Sequence, residues 1–297
     1  VSAGKLSLVA TPIGNLEDVT LRALRALREA DLLLAEDTRR VRKLLDRHGI
    51  TARPVSLHAH NEARRRGEAL AALASGAQVA LVSDAGTPLV SDPGERLVEA
   101  VIAAGYAVEA VPGPSAVLAA LVVSGLPAAR FAFQGFLPRR AGERGRLLAR
   151  LRALPETLVL FESPRRIAAT LRELAAALGP RRACVARELT KLHEEVARGT
   201  LPELAQRFAA GARGELAIVV EGTPATRSEP GAAERDVDPH AREALDPGAL
   251  DAEIASRLAA GARAREIAAA LAPATGLPRR ALYARVLALA RRGRAAG

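Results

Sequence analysis

Residues 78–114 read QVALVSDAGTPLVSDPGERLVEAVIAAGYAVEAVPGP, and their pattern decides the fold class. Gln78 to Ser83 is a short apolar run stopped by small, turn-forming residues, which reads as a buried strand. Gly94 to Ala104 carries Leu97, Val98, Val101 and Ile102 at helical spacing and stops at Gly105, a residue that tolerates the left-handed cap. Ala107 to Val111 is again a strand, halted by Pro112-Gly113-Pro114. A strand, helix and strand in so few residues are a βαβ unit, which implies a parallel sheet covered by helices.

The same rhythm extends in both directions. Leu6 to Ala10 is a strand, Thr20 caps a helix with leucines at 21, 24 and 27, and Leu32 to Ala35 is the next strand. A helix opens near Thr38, and Asn61 caps another that ends at Gly76. A second series starts near Ser115, with an apolar helix, a strand at Phe131 to Phe136, an arginine-rich run from Arg139 to Arg152, and a strand at Thr157 to Glu162. Ser163-Pro164 predicts a helix start, with the helix running to Leu178-Gly179-Pro180, and Ala183 to Arg187 and Glu215 to Glu221 are further strands. The expected architecture is α/β, with a mostly parallel sheet in an N-terminal α/β domain (1–113) and a second α/β domain (114–225). An acidic, Pro/Gly-rich linker (226–247) leads to a basic helical module (248–297) with helical stretches near 249–260, 263–272 and 278–292. Its Gly-containing turn and basic last helix fit a helix-turn-helix as well as a plain three-helix packing module.

Composition narrows the function. At 297 residues, 49% hydrophobic and 26% charged, the chain can bury a sizeable core, which excludes wholesale disorder. The most apolar stretch, Ser115 to Ala129, is broken by Ser124-Gly125-Leu126-Pro127, so no membrane span is expected. No basic and apolar leader opens the chain, which points to the cytoplasm. Cys184 is the single cysteine and sits in an apolar run, so it reads as an inert core thiol. The net charge is +10, nearly all of it from Arg, and the lack of Met and Trp points to a coding bias that makes position more telling than number. Residues 251–297 hold nine Arg against three acids, whereas 226–250 hold three Arg against six. The tail thus has the charge of a polyanion binder or of a merely solvated helical surface. Arg139, Arg140, Arg144, Arg146, Arg150 and Arg152, opposed by Glu143 alone, form a second basic patch, and Arg64, Arg65 and Arg66 a third.

Three small-residue loops follow strands: Ala10-Thr11-Pro12-Ile13-Gly14-Asn15, Ser83-Asp84-Ala85-Gly86-Thr87-Pro88 and Val111-Pro112-Gly113-Pro114-Ser115-Ala116. Ligands of open α/β sheets bind beyond the carboxyl ends of the strands, so a shared nucleotide-like site competes with the reading that these are ordinary turns. None is G-x-x-x-x-G-K-S/T or G-x-G-x-x-G, which argues against ATPase and dinucleotide chemistry.

These loops, together with Ala35-Glu36-Asp37-Thr38-Arg39, Leu57-His58-Ala59-His60-Asn61-Glu62 and Phe161-Glu162-Ser163-Pro164-Arg165, resemble the tetrapyrrole-methylase superfamily over most of residues 6–225. Within it the chain is similar to the bacterial branch that 2′-O-methylates a cytidine of small-subunit (16S) ribosomal RNA, and the segment from Ala262 to Leu289, with Leu277-Pro278 and Leu282-Tyr283, is similar to that branch's C-terminal helices. The resemblance implies a two-domain homodimer with S-adenosyl-L-methionine folded into the cleft between the α/β domains, and small-subunit ribosomal RNA or the 30S subunit as partner. Cofactor contact is thereby expected of Pro12, Ile13, Gly14, Ser83, Asp84, Ala85, Gly86, Pro88, Leu89, Ser115, Ala116, Phe161, Glu162 and Leu189. Substrate contact is expected of Arg39, Asn61, Arg139, Arg140, Arg144, Arg165 and Lys191. Porphyrin relatives carry G-x-G-P-G where this chain has Ala10-Thr11-Pro12-Ile13-Gly14, a departure that fits the RNA-modifying branch.

Methyl transfer to a ribose hydroxyl rests on alignment of the two reactants and gains from a group that accepts the proton. No metal is required. Asp37 and His60 are the leading candidates for that group, among Glu36, His58, Glu62, Asp84, Glu162 and Lys191. His58 and His60 would share a face if they lay on a strand, but a third metal ligand is lacking. C-methylation of a tetrapyrrole and a ligand-sensing nucleic-acid regulator are the alternatives. The basic tail speaks against the first, and the acidic cleft segments Glu36-Asp37 and Glu162 speak against the second.

Overall fold

A computed structural model describes residues 4–58, 60–223, 247–259, 262–275 and 279–295. The chain divides into two compact units, Val1–Arg227 and Ser228–Gly297.

The first unit begins with β1 (Lys5–Val9), α1 (Leu21–Glu29), β2 (Leu32–Ala35), α2 (Thr38–Arg47), β3 (Pro54–Ser56), α3 (Glu62–Ala74), β4 (Gln78–Val82), α4 (Glu95–Ala103) and β5 (Ala107–Val111). The strands form one sheet in the order β3-β2-β4-β1-β5, every pair of them parallel. Alternation along the strands sorts the core into two layers. Val9, Leu33, Ala35, Ala80 and Val82 pack with α1 and α2, while Leu6, Leu34, Val79 and Leu81 pack with α3 and α4 on the other face. Thr20 caps α1 by accepting from the Ala23 N–H, and Asp37 caps α2 by accepting from the Arg39 N–H. Asn61 precedes α3 but spends its side chain elsewhere, accepting from the His58 N–H and donating to the Ser56 carbonyl.

The second half of this unit holds α5 (Ala116–Ser124), β6 (Phe131–Phe136), α6 (Ala141–Arg152), β7 (Thr157–Glu162), α7 (Ile167–Leu178), β8 (Arg182–Arg187), β9 (Glu195–Thr200), α8 (Leu201–Arg207) and β10 (Leu216–Val220). Its sheet runs β6-β7-β10-β8-β9 and is mixed: β6 and β7 are parallel, whereas β10 is antiparallel to β7 and β8, and β8 to β9. The expectation of mostly parallel strands therefore holds for the first sheet and fails for the second. The cause is β9, an edge strand in which only Ala197 is buried, so it lacks the apolar signature of a central strand. The helix expected from Ser163-Pro164 begins later, at Ile167, because residues 164–166 form a turn instead. One face of this sheet packs on α6, α7 and α8; the other, with Val159, Cys184, Ala186 and Val219, packs on α5. Cys184 is buried there, as an inert thiol should be.

The second unit contains α9 (Pro247–Ala259), α10 (Ala264–Thr275) and α11 (Arg279–Ala295) around a small core of Leu250, Ile254, Ile267, Leu271, Leu282 and Val286. Asp251 and Arg285 tie α9 to α11 at 2.6 Å. The interhelical turn at Leu277-Pro278 and residues 226–246 of the expected linker lie outside the described residues. No helix among the described residues is long and apolar enough to cross a membrane.

Leu6 is fully buried in the middle of the first sheet, between α3 and α4. Leu6→Ala is expected to lower unfolding free energy by about 3 kcal/mol in urea denaturation, the sum of lost transfer energy and a residual cavity.

Candidate active site

β1 and β4 are neighbours in the sheet, yet α1 leaves on one face and α4 on the other. Such a divergence opens a crevice beyond the carboxyl ends of the two strands. The loops that follow them are held together across it: Thr11 N–H donates to the Gly86 carbonyl and Gly86 N–H to the Thr11 carbonyl, both at 2.9 Å. Gly86 has φ +77°, and a Cβ there would meet Ile13 Cγ2 at 3.3 Å, so the close approach is built for glycine. The loop after β5 joins the same wall, with its Pro114 carbonyl accepting from Thr87 Oγ1 at 3.4 Å.

Between this wall and the second sheet lies a cavity of about 390 Å³. That volume is in the range of small-molecule sites. Ile13, Asp84, Ala85, Gly86, Ser115, Ala116, Phe161, Glu162 and Leu189 line it, nine of the residues expected at a cofactor site. Pro12, Gly14, Ser83, Pro88 and Leu89 do not line it. Gly14 instead lies against Leu189, Thr190 and Lys191, and Leu89 packs into the first core. Sequence reasoning missed Arg40, Asp92, Phe136 and the strand end Gly214-Glu215-Leu216-Ala217, all of which line the cavity. Leu216 and Ala217 sit in an antiparallel strand far along the chain, where no local motif marks them.

The charges of the cavity are mostly paired. Arg40 bridges Asp84 of the first sheet, at 3.4 Å, and Glu215 of the second, at 3.8 Å. Lys191 Nζ meets Glu188 at 2.8 Å and Glu215 at 2.9 Å. Burial opposes the Lys191 charge, but the two carboxylates outweigh it and raise its pKa. Glu162 is buried and fully engaged: its carboxylate accepts from the Ser163 N–H at 2.7 Å and the Thr170 hydroxyl at 2.6 Å, and faces Arg166 at 3.4 Å. Asp92 differs, because no Lys, Arg or His among the described residues lies within ion-pair distance of it. Burial raises its pKa, the Ser83 hydroxyl opposes that shift, and Asp84 adds to it. Glu36 is likewise raised, first by burial and then by Asp84 and Asp92.

The other expected residues lie around this centre. Asp37 is clamped by Arg39, whose guanidinium reaches both carboxylate oxygens at 3.1 and 2.8 Å, and its pKa is held down at about 2. Its backbone N–H donates to Asp84 at 2.9 Å, so the loop after β2 is tied to the site although the Asp37 side chain does not line the cavity. His58 and His60 are exposed in an irregular stretch, with ring centroids 5.9 Å apart, and not on a strand as a shared face requires. Among the described residues no group of His, Cys, Asp and Glu forms a metal site. In the arginine run, Arg144 is committed to Glu173 and to the Pro138 and Arg139 carbonyls, and Arg140 pairs with Glu143. Arg139, Arg146, Arg150 and Arg165 are exposed and make no side-chain hydrogen bond or ion pair among the described residues.

The family model described as Tetrapyrrole (Corrin/Porphyrin) Methylases matches residues 5–205. A protein of Mesorhizobium japonicum named Ribosomal RNA small subunit methyltransferase I is 48% identical over 287 residues, covering 96% of this chain and 92% of its own. Its namesake in Thermotoga maritima is 48% identical over 220 residues, covering 74% of this chain but 99% of its own. Among solved structures, uroporphyrin-III C-methyl transferase from Thermus thermophilus, complexed with S-adenyl homocysteine, has a TM-score of 0.53 at 24% identity. The alignment covers 73% of this chain and 97% of that one, so the fold is shared.

Glu162 fixes the turn between β7 and α7 that closes one end of the cavity. Glu162→Ala would leave the buried Thr170 hydroxyl and the Ser163 N–H without their acceptor, and a loss of about 2 kcal/mol is expected in urea denaturation. Glu162→Gln, which keeps shape and one acceptor, should lose less.

Proposed function

Because the chain belongs to the tetrapyrrole (corrin/porphyrin) methylase family, we propose that it methylates small-subunit ribosomal RNA with S-adenosylmethionine, at the ribose 2′-oxygen of a cytidine. The observation that carries this reading is the cavity at the β1/β4 divergence, walled by loops that present backbone rather than long side chains. Ile13, Ala186, Leu216 and Ala217 give it an apolar floor, and the glycine contact at Gly86 leaves room for a ligand to lie against the main chain. These residues fit a nucleoside with an amino-acid tail. S-adenosylmethionine supplies an electrophilic methyl group there.

The chain's own residues orient and exclude. Ile13, Leu189 and the start of α5 would hold the cofactor and keep water from its apolar side. Of the cavity carboxylates, Asp92 is the one with no cation partner among the described residues and is the best placed to take the proton of the attacking hydroxyl, ahead of Asp37 and His60, which do not line the cavity. Arg139, Arg146, Arg150 and Arg165, which make no side-chain pair among the described residues, would meet RNA phosphates, joined by the exposed guanidiniums of Arg39 and Arg140. The working form is read as a cytoplasmic homodimer, with α/β domains at 1–113 and 114–225 and the basic module from 248 as an added RNA contact.

The deciding experiment is transfer of labelled methyl from S-adenosylmethionine to 30S subunits, with free ribosomal RNA and a uroporphyrinogen-type tetrapyrrole in parallel. Label in RNA that blocks alkaline cleavage beside the modified ribose is expected. Label in the tetrapyrrole alone would overturn the reading. If about four unpaired arginines neutralise phosphates, log K for RNA should fall with log salt at a slope of about −3. Truncation after Pro247 is expected to leave S-adenosylhomocysteine affinity within about twofold while weakening RNA binding. Loss of cofactor binding on truncation would refute the modular picture.

A further inference from the structure

β6 is an edge strand, and its pairing with β7 slips between Phe133 and Gly135: Phe133 pairs with Val159, Gly135 with Leu160 and Phe136 with Phe161. In a regular strand residues three apart point to opposite faces. The slip, with Gly135 in the left-handed region at φ +63°, instead brings Phe133 and Phe136 to the same partner, the Phe161 ring, at centroid distances of 5.0 and 5.8 Å. Bulges of this kind re-aim side chains beside functional sites.

Three of the five phenylalanines of the chain thus meet at one place. Phe133 and Phe161 are partly covered, but Phe136 is 51% exposed while lining the cavity. A ring placed for core packing alone would be covered. Phe161 backs it by a tilted contact and is itself met edge-on by Phe133, which leaves an aromatic surface of Phe136 open toward the cleft. Arg139, which makes no side-chain pair among the described residues, follows three residues later, beyond the end of β6.

We infer that Phe136 is the platform on which the target nucleobase stacks when its ribose enters the cavity. The inference rests on the RNA-methylation reading above. Drawing one ribose into a cavity pulls its base away from its neighbours' stack, and an aromatic face replaces the lost stacking without reading sequence. The base edge is then left for polar groups of the cleft to discriminate.

The test uses full-length Phe136→Ala, Phe136→Leu and Phe136→Tyr, checked for unchanged melting temperature. Binding of ribosomal RNA to the S-adenosylhomocysteine complex is measured across a salt series, with kcat and KM for methyl transfer alongside. Phe136→Ala and Phe136→Leu are expected to weaken RNA binding about ten- to hundredfold with no change in salt slope, because stacking involves no counterion release. Phe136→Tyr should keep affinity, and S-adenosylhomocysteine affinity and oligomeric mass should stay constant in all three. Wild-type affinity in Phe136→Leu would reduce the residue to apolar filler. Loss of S-adenosylhomocysteine binding would make it a cofactor contact, and a change of mass would make it a subunit contact; each overturns the inference. Failure of the wild-type protein to methylate any RNA would instead refute the reading beneath it.

Discussion

The site depends on one constraint: two adjacent parallel strands, β1 and β4, send their following helices to opposite faces of the sheet. Without that divergence the loops after them would be covered by a helix and no crevice would exist. The divergence alone would leave two slack loops. The paired hydrogen bonds between Thr11 and Gly86 make them a single wall, and the glycine is what allows the backbones to come so close. Ile13, carried at the end of this wall, packs into the core of the second sheet with Val117, Leu189 and Val219. The loop that lines the cavity therefore also joins the two halves of the unit, so its geometry is determined from both sides.

Electrostatics follows the same division. Arg40, on the first helix after β2, reaches carboxylates on both sheets, and Lys191 reaches two on the second. These pairs are partly exposed and each contributes little to stability. Their effect is on the field: they cancel much of the negative charge that Asp84, Glu188 and Glu215 would otherwise present to an anionic substrate. Among the described residues, Arg139, Arg146 and Arg150 after β6 have no such partners.

Much of the fold was legible because the first sheet obeys simple rules. Leu32–Ala35 and Gln78–Val82 are bounded by turn residues and almost wholly buried, so composition and length identify them directly. Two of the four edge strands were not legible. Pro54–Ser56 is three residues long and opens with proline, and Glu195–Thr200 is polar on most positions; each owes its strand geometry to a neighbour rather than to its own pattern. The capping box of Thr200 and Glu203 was a usable signal for α8 that went unread. At the site, the small-residue loops pointed to Ile13, Asp84, Gly86 and Ser115, because turn chemistry is local. Phe136 and Glu215 depend on how the second sheet folds back over the first, and no local pattern carries that information.

The aromatic poverty of the chain bears on what the cleft can do. With so few rings, broad stacking along an RNA strand is not available, and recognition over most of the contact must come from shape and phosphate charge. Such recognition is tolerant of sequence and steep in salt. On the reading proposed above, selectivity for a single nucleotide arises at the apolar cavity, whose carboxylates are largely neutralised and which Phe136 and Phe161 line. A diffuse basic surface to bring the polymer in and a narrow, nearly neutral cavity to admit one nucleotide are complementary requirements. The cavity lies where β1 and β4 diverge, and Arg139, Arg146 and Arg150, which make no side-chain pair among the described residues, lie on the segment and helix that follow the edge strand β6.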